Sequence, residues 1–507
     1  MLINAGTYGT VYNVGDGTVL KKYKNVYEGI AADFIREVAT LKRINNPNVI
    51  SLLEIDYDTF ISITLPFYPH NLEEMVKKKL PYSKKEIFHC ICMGLYALHS
   101  RGIIHRDMKP SNIMVKNRNH AIIIDTGFSK SFELDRSYGT RSPKVVTMFY
   151  RAPEIILRRD YSFEVDVWGA GVIFAEMYLN NYLFDIDNEI VLLENQCFLM
   201  GTPPKSSGES CSEIEQTILS ALPDYPGTYK EKFKIYGEHV VEIIGCMLNT
   251  NYEDRCTIAE VLSSDYFEDL TDYELVDSPC ANVYKDEAKN YEEYLLDYLV
   301  EFEFDEMNEN TLGMRKVLAE WLEQICTENL IHESTFFRAV ILLDRYLSNE
   351  SSYFIKKENF QLIGLTCLFI SSKYENLKYL DANDLLYWCD NAYLKRELLD
   401  MEKRICRVID MNIATPTLYN YICIFAYDLQ LNKKQIRLFK KYLSVCAMYH
   451  EHYEYCFPML CIVCGYICLD ELLDRNKEPL SILPPDTQDN VVECQEKVLS
   501  WIKKYKK

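Results

Sequence analysis

Residues 105–112 read His105-Arg106-Asp107-Met108-Lys109-Pro110-Ser111-Asn112, and an apolar run ending Ile123-Ile124-Asp125-Thr126-Gly127 follows. This pairing constrains the chain more than any other stretch. A polar loop followed by an apolar strand that ends in Asp-x-Gly leaves several charged groups at the mouth of one cleft. Asp107 is placed to accept the proton of a hydroxyl, and Lys109 can reach a phosphoryl group in transit. Asn112 and Asp125 supply hard oxygen atoms of the kind that magnesium takes.

The N-terminal stretch carries parts that match such a cleft. Asn4-x-Gly6-x-x-Gly9-x-Val11 precedes Val19-Leu20-Lys21-Lys22. Glycines let a β-hairpin lie close over a triphosphate, and a lysine on the third strand can neutralise two of its phosphates. Ile35-Arg36-Glu37 opens an amphipathic helix from which Glu37 could pair with Lys21. Taken singly, the glycines are also those of a plain turn, and Glu37 is also a surface glutamate.

At 507 residues the chain is too long for one core and suggests two to four domains. Hydrophobic content of 48% and charged content of 26% are those of a globular protein. The net charge of −20 argues against a general nucleic-acid binder and suits basic substrates or partners. The 18 cysteines follow no repeating frame, and no secretory leader is read, so reduced thiols in the cytoplasm, the nucleus or both are expected. Cys461, Cys464 and Cys468 come closest to metal-ligand spacing, but they lie in the apolar run Pro458–Leu469 without a second pair and read as a core helix. That run is far short of the roughly 20 residues that cross a bilayer, so no membrane partner is expected.

Short β-branched runs such as Thr59–Leu65 and Ile122–Asp125 alternate with the helical stretch Ile35–Ile44 up to about Gly139, and the pattern is mainly helical from Tyr161 to Phe267. Val145-Val146-Thr147-Met148-Phe149-Tyr150-Arg151-Ala152-Pro153-Glu154, then Asp166-Val167-Trp168-Gly169, then Arg255 complete this half. In this order, residues 1–267 resemble the eukaryotic protein kinases. Gly6-Thr7-Tyr8-Gly9, Ile35-Arg36-Glu37 and Met200-Gly201-Thr202-Pro203 are more closely similar to cyclin-dependent kinases.

The resemblance implies ATP and Mg2+ as cofactors, with Ile3, Asn4, Gly6, Gly9, Val11, Lys21 and Glu37 around the nucleotide. It implies Asp107 and Lys109 as catalytic residues, Asn112 and Asp125 on the metal, and a buried Glu154–Arg255 ion pair. Thr7 and Tyr8 match sites of inhibitory phosphorylation. Ser142, with Thr140 as a competitor, matches the activating acceptor, which Arg36, Arg106 and Lys130 would grip. The Val145-Val146-Thr147 and Arg151 match implies selection of proline after the phosphorylated residue. Three departures stand out: Asn4 replaces the first glycine of the hairpin, only Met1 and Leu2 precede Ile3, and Thr126 replaces the family's phenylalanine between Asp125 and Gly127.

Residues 268–289 are acidic and poorly periodic and read as a linker. Beyond Asn290 nearly every segment has apolar residues at helical spacing, for example Leu318, Trp321, Leu322 and Ile325. From composition alone this is a helical bundle with its charges on solvated faces. Met314–Ile325, Leu342–Ser348, Gln361–Gly364, Ile370–Glu375, Leu399–Glu402 and Pro416-Thr417 together resemble a cyclin box over 290–412, and 413–507 fits the more divergent five-helix second repeat. The resemblance implies that Lys373 and Glu402 contact the helix bearing Glu37 and push it inward, closing the Glu37–Lys21 pair. It also implies a substrate-docking groove at Met314, Val317, Leu318, Trp321 and Gln361, with Gln324 where an acidic residue is usual and Glu320 nearby; Trp321 and Leu318 also read simply as core residues.

The expected architecture is multidomain, a bilobal α+β protein kinase fold followed by an all-α double cyclin fold. A linker of about 22 residues reaches roughly 70 Å when extended, and tethering brings the effective concentration near the millimolar range. The expected function is a proline-directed serine/threonine kinase activated in cis by its own cyclin half. Protein substrates with Ser/Thr-Pro sites are its expected partners, and the resemblance adds regulators of cyclin-dependent kinases. A swapped pairing between two chains, and a pseudokinase scaffold that binds cell-cycle proteins, are the alternatives.

Overall fold

The structure is a computed structural model that describes residues 2–5, 9–23, 29–56, 61–131, 148–159, 161–204, 213–270, 309–350, 355–376, 379–429, 431–469 and 490–505. The chain divides into two compact units. The first holds residues 1–24, 36–132 and 136–291, and the second holds 25–35, 133–135 and 292–507.

The first unit opens with the strands β1 (Leu2–Ala5), β2 (Gly9–Asn13) and β3 (Thr18–Tyr23). After helix α1 (Ala32–Arg43) come β4 (Glu54–Asp56) and β5 (Ser62–Pro66). The strands form one antiparallel sheet in the order β1-β2-β3-β5-β4. β2 and β3 carry the β-branched and aromatic residues Thr10, Val11 and Tyr12, and Thr18, Val19 and Tyr23, which favour a pleated, half-buried surface. Gly9 permits the close pairing of β2 with β3, because a Cβ there would lie 2.5 Å from the Lys22 carbonyl oxygen.

Next come β6 (His70–Asn71), α2 (Leu72–Lys77) and α3 (Lys84–His99), then β7 (Ile103–Ile104), β8 (Ile113–Asn117), β9 (His120–Ile123) and β10 (Lys130–Ser131). Strands β6-β8-β9 form a small sheet, and β10 pairs with β7. The helices α4 (Pro153–Ile156), α5 (Glu164–Leu179), α6 (Glu189–Met200), α7 (Glu213–Ala221), α8 (Tyr229–Phe233), α9 (Glu238–Met247) and α10 (Ile258–Leu262) complete the unit. Side-chain caps set several starts: Asn71 accepts from Glu74 N–H, Asn188 from Ile190 N–H, and Thr257 forms a capping box with Glu260.

Helix α5 is buried almost all round and forms the centre of this helical part, with α3 and α9 packed on it. Arg255 clamps Glu154 in a two-pronged ion pair, at 2.6 Å and 2.9 Å, with both side chains buried. Arg255 also donates to the carbonyls of Asn249 and Glu164, so no donor is left in a dry site at the cost of its hydration.

Glu176 on α5 is buried between the Tyr150 hydroxyl, at 3.0 Å, and the Leu183 N–H, at 3.1 Å. Burial pushes its carboxyl up to about 7 from an ordinary 4.5, and the two donors oppose this only in part. Between these values the folded chain holds a proton that the unfolded chain has released, so stability falls as pH rises through the window. Above it the cost is constant, at about 3 kcal/mol. Glu176→Gln is therefore expected to raise the Tm at pH 8 and to leave it nearly unchanged at pH 4.5, as thermal melts at the two pH values would show. Equal effects at both would mean that folding does not shift the carboxyl's pKa.

The second unit is helical: α11 (Glu309–Glu328), α12 (Glu333–Asn349), α13 (Lys357–Glu375), α14 (Ala382–Tyr387), α15 (Lys395–Val408), α16 (Leu418–Asp428), α17 (Lys433–Met448), α18 (Phe457–Cys468) and α19 (Val491–Tyr505). Its charges correct the picture of solvated faces. Arg315 on α11 is fully buried; its guanidinium donates to both oxygens of Asp344 on α12, at 2.6 Å and 2.7 Å, and to the carbonyls of Ala447 and Met448 at the end of α17. The Tyr453 hydroxyl also donates to Asp344, at 2.8 Å. Arg338 likewise pairs with Glu375 and donates to the carbonyls of Ile413 and Thr415. These pairs survive burial because backbone carbonyls, and at Asp344 the Tyr453 hydroxyl, supply further partners.

Cys461, Cys464 and Cys468 are all buried in α18, as the apolar spacing requires. Among the described residues there is no cluster of His, Cys, Asp and Glu that could hold a metal, and no helix is long and apolar enough to cross a membrane.

Candidate active site

The loop that carries Asp107 is hung from α5. The Asp166 carboxylate accepts from the backbone N–H groups of His105, at 2.7 Å, and Arg106, at 2.8 Å, and meets His99 Nε2 at 3.0 Å. Burial opposes ionisation of Asp166, but His99, His105 and the Arg106 N–H outweigh it and hold its carboxyl below the ordinary range. Arg106 takes a left-handed backbone, φ 66°, which the two bonds to Asp166 hold in place. His105 accepts from Asp107 N–H on Nδ1, at 3.2 Å, and reaches the Ile124 carbonyl with Nε2, at 3.1 Å. The imidazole thus ties the loop to the residue before Asp125.

Within the loop Lys109 Nζ lies 2.7 Å from Asp107 Oδ2. Asn112 Nδ2 donates to the Asp107 carbonyl, at 2.8 Å, and to Oδ2, at 3.0 Å. With its NH2 committed, Asn112 has only its carbonyl oxygen left to offer a cation. Asp107, 2% exposed, therefore has one oxygen held by two donors.

Opposite this loop, Lys21 on β3 is paired with Glu37 on α1 at 2.7 Å and with Asp125 at 3.2 Å. Burial opposes the charge on Lys21, but the two carboxylates outweigh it and hold its pKa above the ordinary value. Burial likewise opposes ionisation of Asp125, and Lys21 outweighs it, leaving the carboxyl below the usual range. Asp125 sits in the left-handed region, φ 64°, a conformation Asp tolerates better than most residues. Its side chain stays 35% exposed. Ile3 on β1 is exposed, Val11 pairs with Lys21 across the strands, and Gly9 is buried. Gly6 and the side chain of Asn4 lie outside the described residues.

A second polar cluster lies in the other unit. Residues 25–35, which lead into α1 and include its first turn, group with the helical unit rather than with the sheet. Lys373 Nζ donates to the Ile30 carbonyl, at 2.8 Å, while Glu402 Oε2 accepts from the Ile30 N–H, at 2.9 Å. Lys373 and Glu402 pair at 2.7 Å, and both are fully buried. Gly29 has φ 82°, and a Cβ there would lie 2.1 Å from Glu402 Oε2, so this approach needs glycine on both counts. The carbonyl that Lys373 takes precedes the N-terminus of α1.

The family model described as the protein kinase domain matches residues 2–267, more than half of the chain. The chain belongs to the protein kinase family. The model of the cyclin N-terminal domain matches residues 281–414 of this kinase. A probable CTD kinase subunit alpha homolog of Encephalitozoon cuniculi is 31% identical over 275 residues, which cover 53% of this chain and 83% of that protein. The cell division control protein 2 homolog 3 of Trypanosoma brucei brucei is 31% identical over 289 residues, 53% of this chain and 90% of that protein. A crystal structure of the yeast RNA Pol II CTD kinase complex matches with a TM-score of 0.47 and 26% identity over 52% of this chain and 90% of that chain. The kinase is of the cyclin-dependent type, with a cyclin region behind it.

Of the kinase's expected regulatory residues, Arg36 and Arg106 come together on consecutive carbonyls: Arg36 Nε donates to Gly127 at 3.2 Å and Arg106 Nε to Phe128 at 2.7 Å. Arg106 Nη1 is buried with no partner among the described residues. The Lys130 backbone pairs with Ile104 in the β10–β7 ladder. Thr7, Tyr8, Thr140, Ser142 and residues 145–147 lie outside the described residues.

The expected docking groove is only partly a surface. Val317 is 65% exposed, and Met314, Trp321 and Gln361 are half-buried. Leu318 takes the core alternative of its two readings: it is buried against Gly364 of α13, where a Cβ would lie 2.6 Å from Leu318 Cδ2. It is a core residue of the α11–α13 packing and not a groove residue. Gln324 donates to Glu328, at 2.6 Å, and Glu320 faces Lys316 at 3.5 Å. Three residues went unread as site residues: Asp166, Gly29 and Tyr23. The Asp-x-Trp-Gly spacing pointed to the first; nothing local marked the other two.

Proposed function

We propose that the chain transfers the γ-phosphate of ATP to serine or threonine hydroxyls and that its own cyclin region is the activator. One observation carries the reading: Lys21 is paired with both Glu37 and Asp125, at 2.7 Å and 3.2 Å. This is the arrangement that a phosphate-binding lysine needs before catalysis. Asn112, with its NH2 committed, and Asp125, ionised and part-exposed, fit a hard divalent cation by donor chemistry. Mg2+ with ATP would supply the phosphoryl group and neutralise its charge. The chain's own side chains do the rest. Asp107 orients the substrate hydroxyl and accepts its proton. Lys109 lends positive charge beside Asp107, and Lys21 is held for the phosphates by Glu37.

The activator part of the proposal is supported by the Ile30 backbone, gripped on both sides by Lys373 and Glu402 immediately before α1. A fixed entry to α1 favours the register in which Glu37 meets Lys21. Proline selection is carried over from the resemblance of Val145-Val146-Thr147 and Arg151 to the family. The expected kcat/KM for a Ser-Pro peptide is at least about tenfold that for a Ser-Ala peptide, about 1.4 kcal/mol; equal values in initial-rate assays would retire this part. The scaffold alternative rests on Thr126, buried with its hydroxyl unpartnered among the described residues. Phosphate transfer by the purified full chain, measured beside Asp107→Asn, decides between the two.

A further inference from the structure

Successive side chains of a strand leave opposite faces, so Lys21 and Tyr23 on β3 share one face. Tyr23 is 5% exposed, and its hydroxyl donates to Glu37 Oε2, the oxygen that Lys21 also reaches at 2.7 Å. Lys21 Nζ lies 5.4 Å from the centre of the Tyr23 ring. Glu37 is therefore tied to β3 at two points, one charged and one neutral.

We infer that Tyr23 is a positioning residue, whose hydroxyl holds Glu37 against β3 independently of Lys21. The inference rests on the reading of the chain as an active kinase and adds a residue to its machinery. The charge of Lys21 is already divided between Glu37 and Asp125. Any phosphate oxygen that takes up the ammonium draws it further from Glu37. Glu37 is 1% exposed, and burial opposes its ionised form, so a carboxylate that loses its donor there has strong reason to leave. A neutral hydroxyl is not drawn to phosphate by charge and keeps its bond while Lys21 is engaged. Its location on the strand, rather than on a loop, makes the anchor rigid. A tyrosine two residues beyond the lysine thus makes the inward position of α1 depend less on the lysine alone.

The test uses the full chain with Tyr23→Phe, which removes one oxygen and keeps the ring. The kcat on a Ser-Pro peptide is expected to fall about tenfold, with KM for ATP changed less than about threefold. Hydrogen exchange at the amides of Ala32–Arg43 is expected to quicken about tenfold, with little change in Tm. A lower Tm with unchanged kcat and unchanged α1 exchange would make the hydroxyl a packing detail and overturn the inference. So would kcat and exchange both within about twofold of wild type. If the wild-type chain transfers no phosphate, the proposed function falls, and the exchange measurement alone decides the role of Tyr23.

Discussion

Asp107→Asn is expected to lower kcat on a Ser-Pro peptide by about 10²–10⁴-fold, the range over which a positioned proton acceptor contributes. The substitution keeps the side chain's shape and removes its basicity. Lys109 is part-exposed, with 24% of its side chain open, so the loss of its anionic partner strands no charge in a dry site. The loop is held from elsewhere, by Asp166 through the N–H groups of His105 and Arg106. Tm and ADP affinity are therefore expected to stay close to wild type. Initial rates, a thermal melt and an ADP titration on the full chain check all three. A kcat within about tenfold of wild type would remove Asp107 as the proton acceptor.

Lys373→Met is expected to destabilise the second unit by roughly 3–5 kcal/mol, because it leaves Glu402 buried without its cation. Burial opposes ionisation of Glu402, and Lys373 and the Ile30 N–H oppose that push. The ammonium also lies 3.8 Å from the centre of the Phe369 ring, a space that a methionine can fill. The double variant Lys373→Met with Glu402→Leu should regain most of the lost stability, since apolar residues of similar volume replace a buried pair at little cost. It cannot regain activity on the proposed mechanism, because the Ile30 N–H and carbonyl have lost both partners. Denaturant melts and initial rates on the two variants separate fold from activation. A fully active double variant would end the proposal of activation through Ile30.

The loop His105–Asn112 was legible because its chemistry is local: Asp107, Lys109 and Asn112 lie within one turn of chain and meet at 2.7–3.0 Å. The Lys21–Glu37 pair was legible only as one of two readings of Glu37, since a strand and a helix 16 residues apart meet through tertiary packing. Tyr23 gave no local signal, as a tyrosine on a strand is what a half-buried sheet ordinarily takes. Leu318 stayed open between groove and core because an apolar side chain on an amphipathic helix suits both equally well. Only the absence of a side chain at Gly364 decides for the core.

The charges of the second half show the same division. Arg315 with Asp344 and Lys373 with Glu402 are each 29 residues apart, so no helical spacing reveals either pair. By itself the sequence determined the kinase and cyclin order, the acid–base and metal-type residues of the loop, and the helical class of the second half. These depend on residue chemistry and on periods of two to four residues, which neighbouring positions encode. The tertiary structure alone decided which charges are buried as pairs, that Ile30 is the backbone held by Lys373 and Glu402, and that Glu37 has a second donor. Burial and partnership depend on which distant segments pack together, and a charge becomes a strong contact only where that packing excludes water.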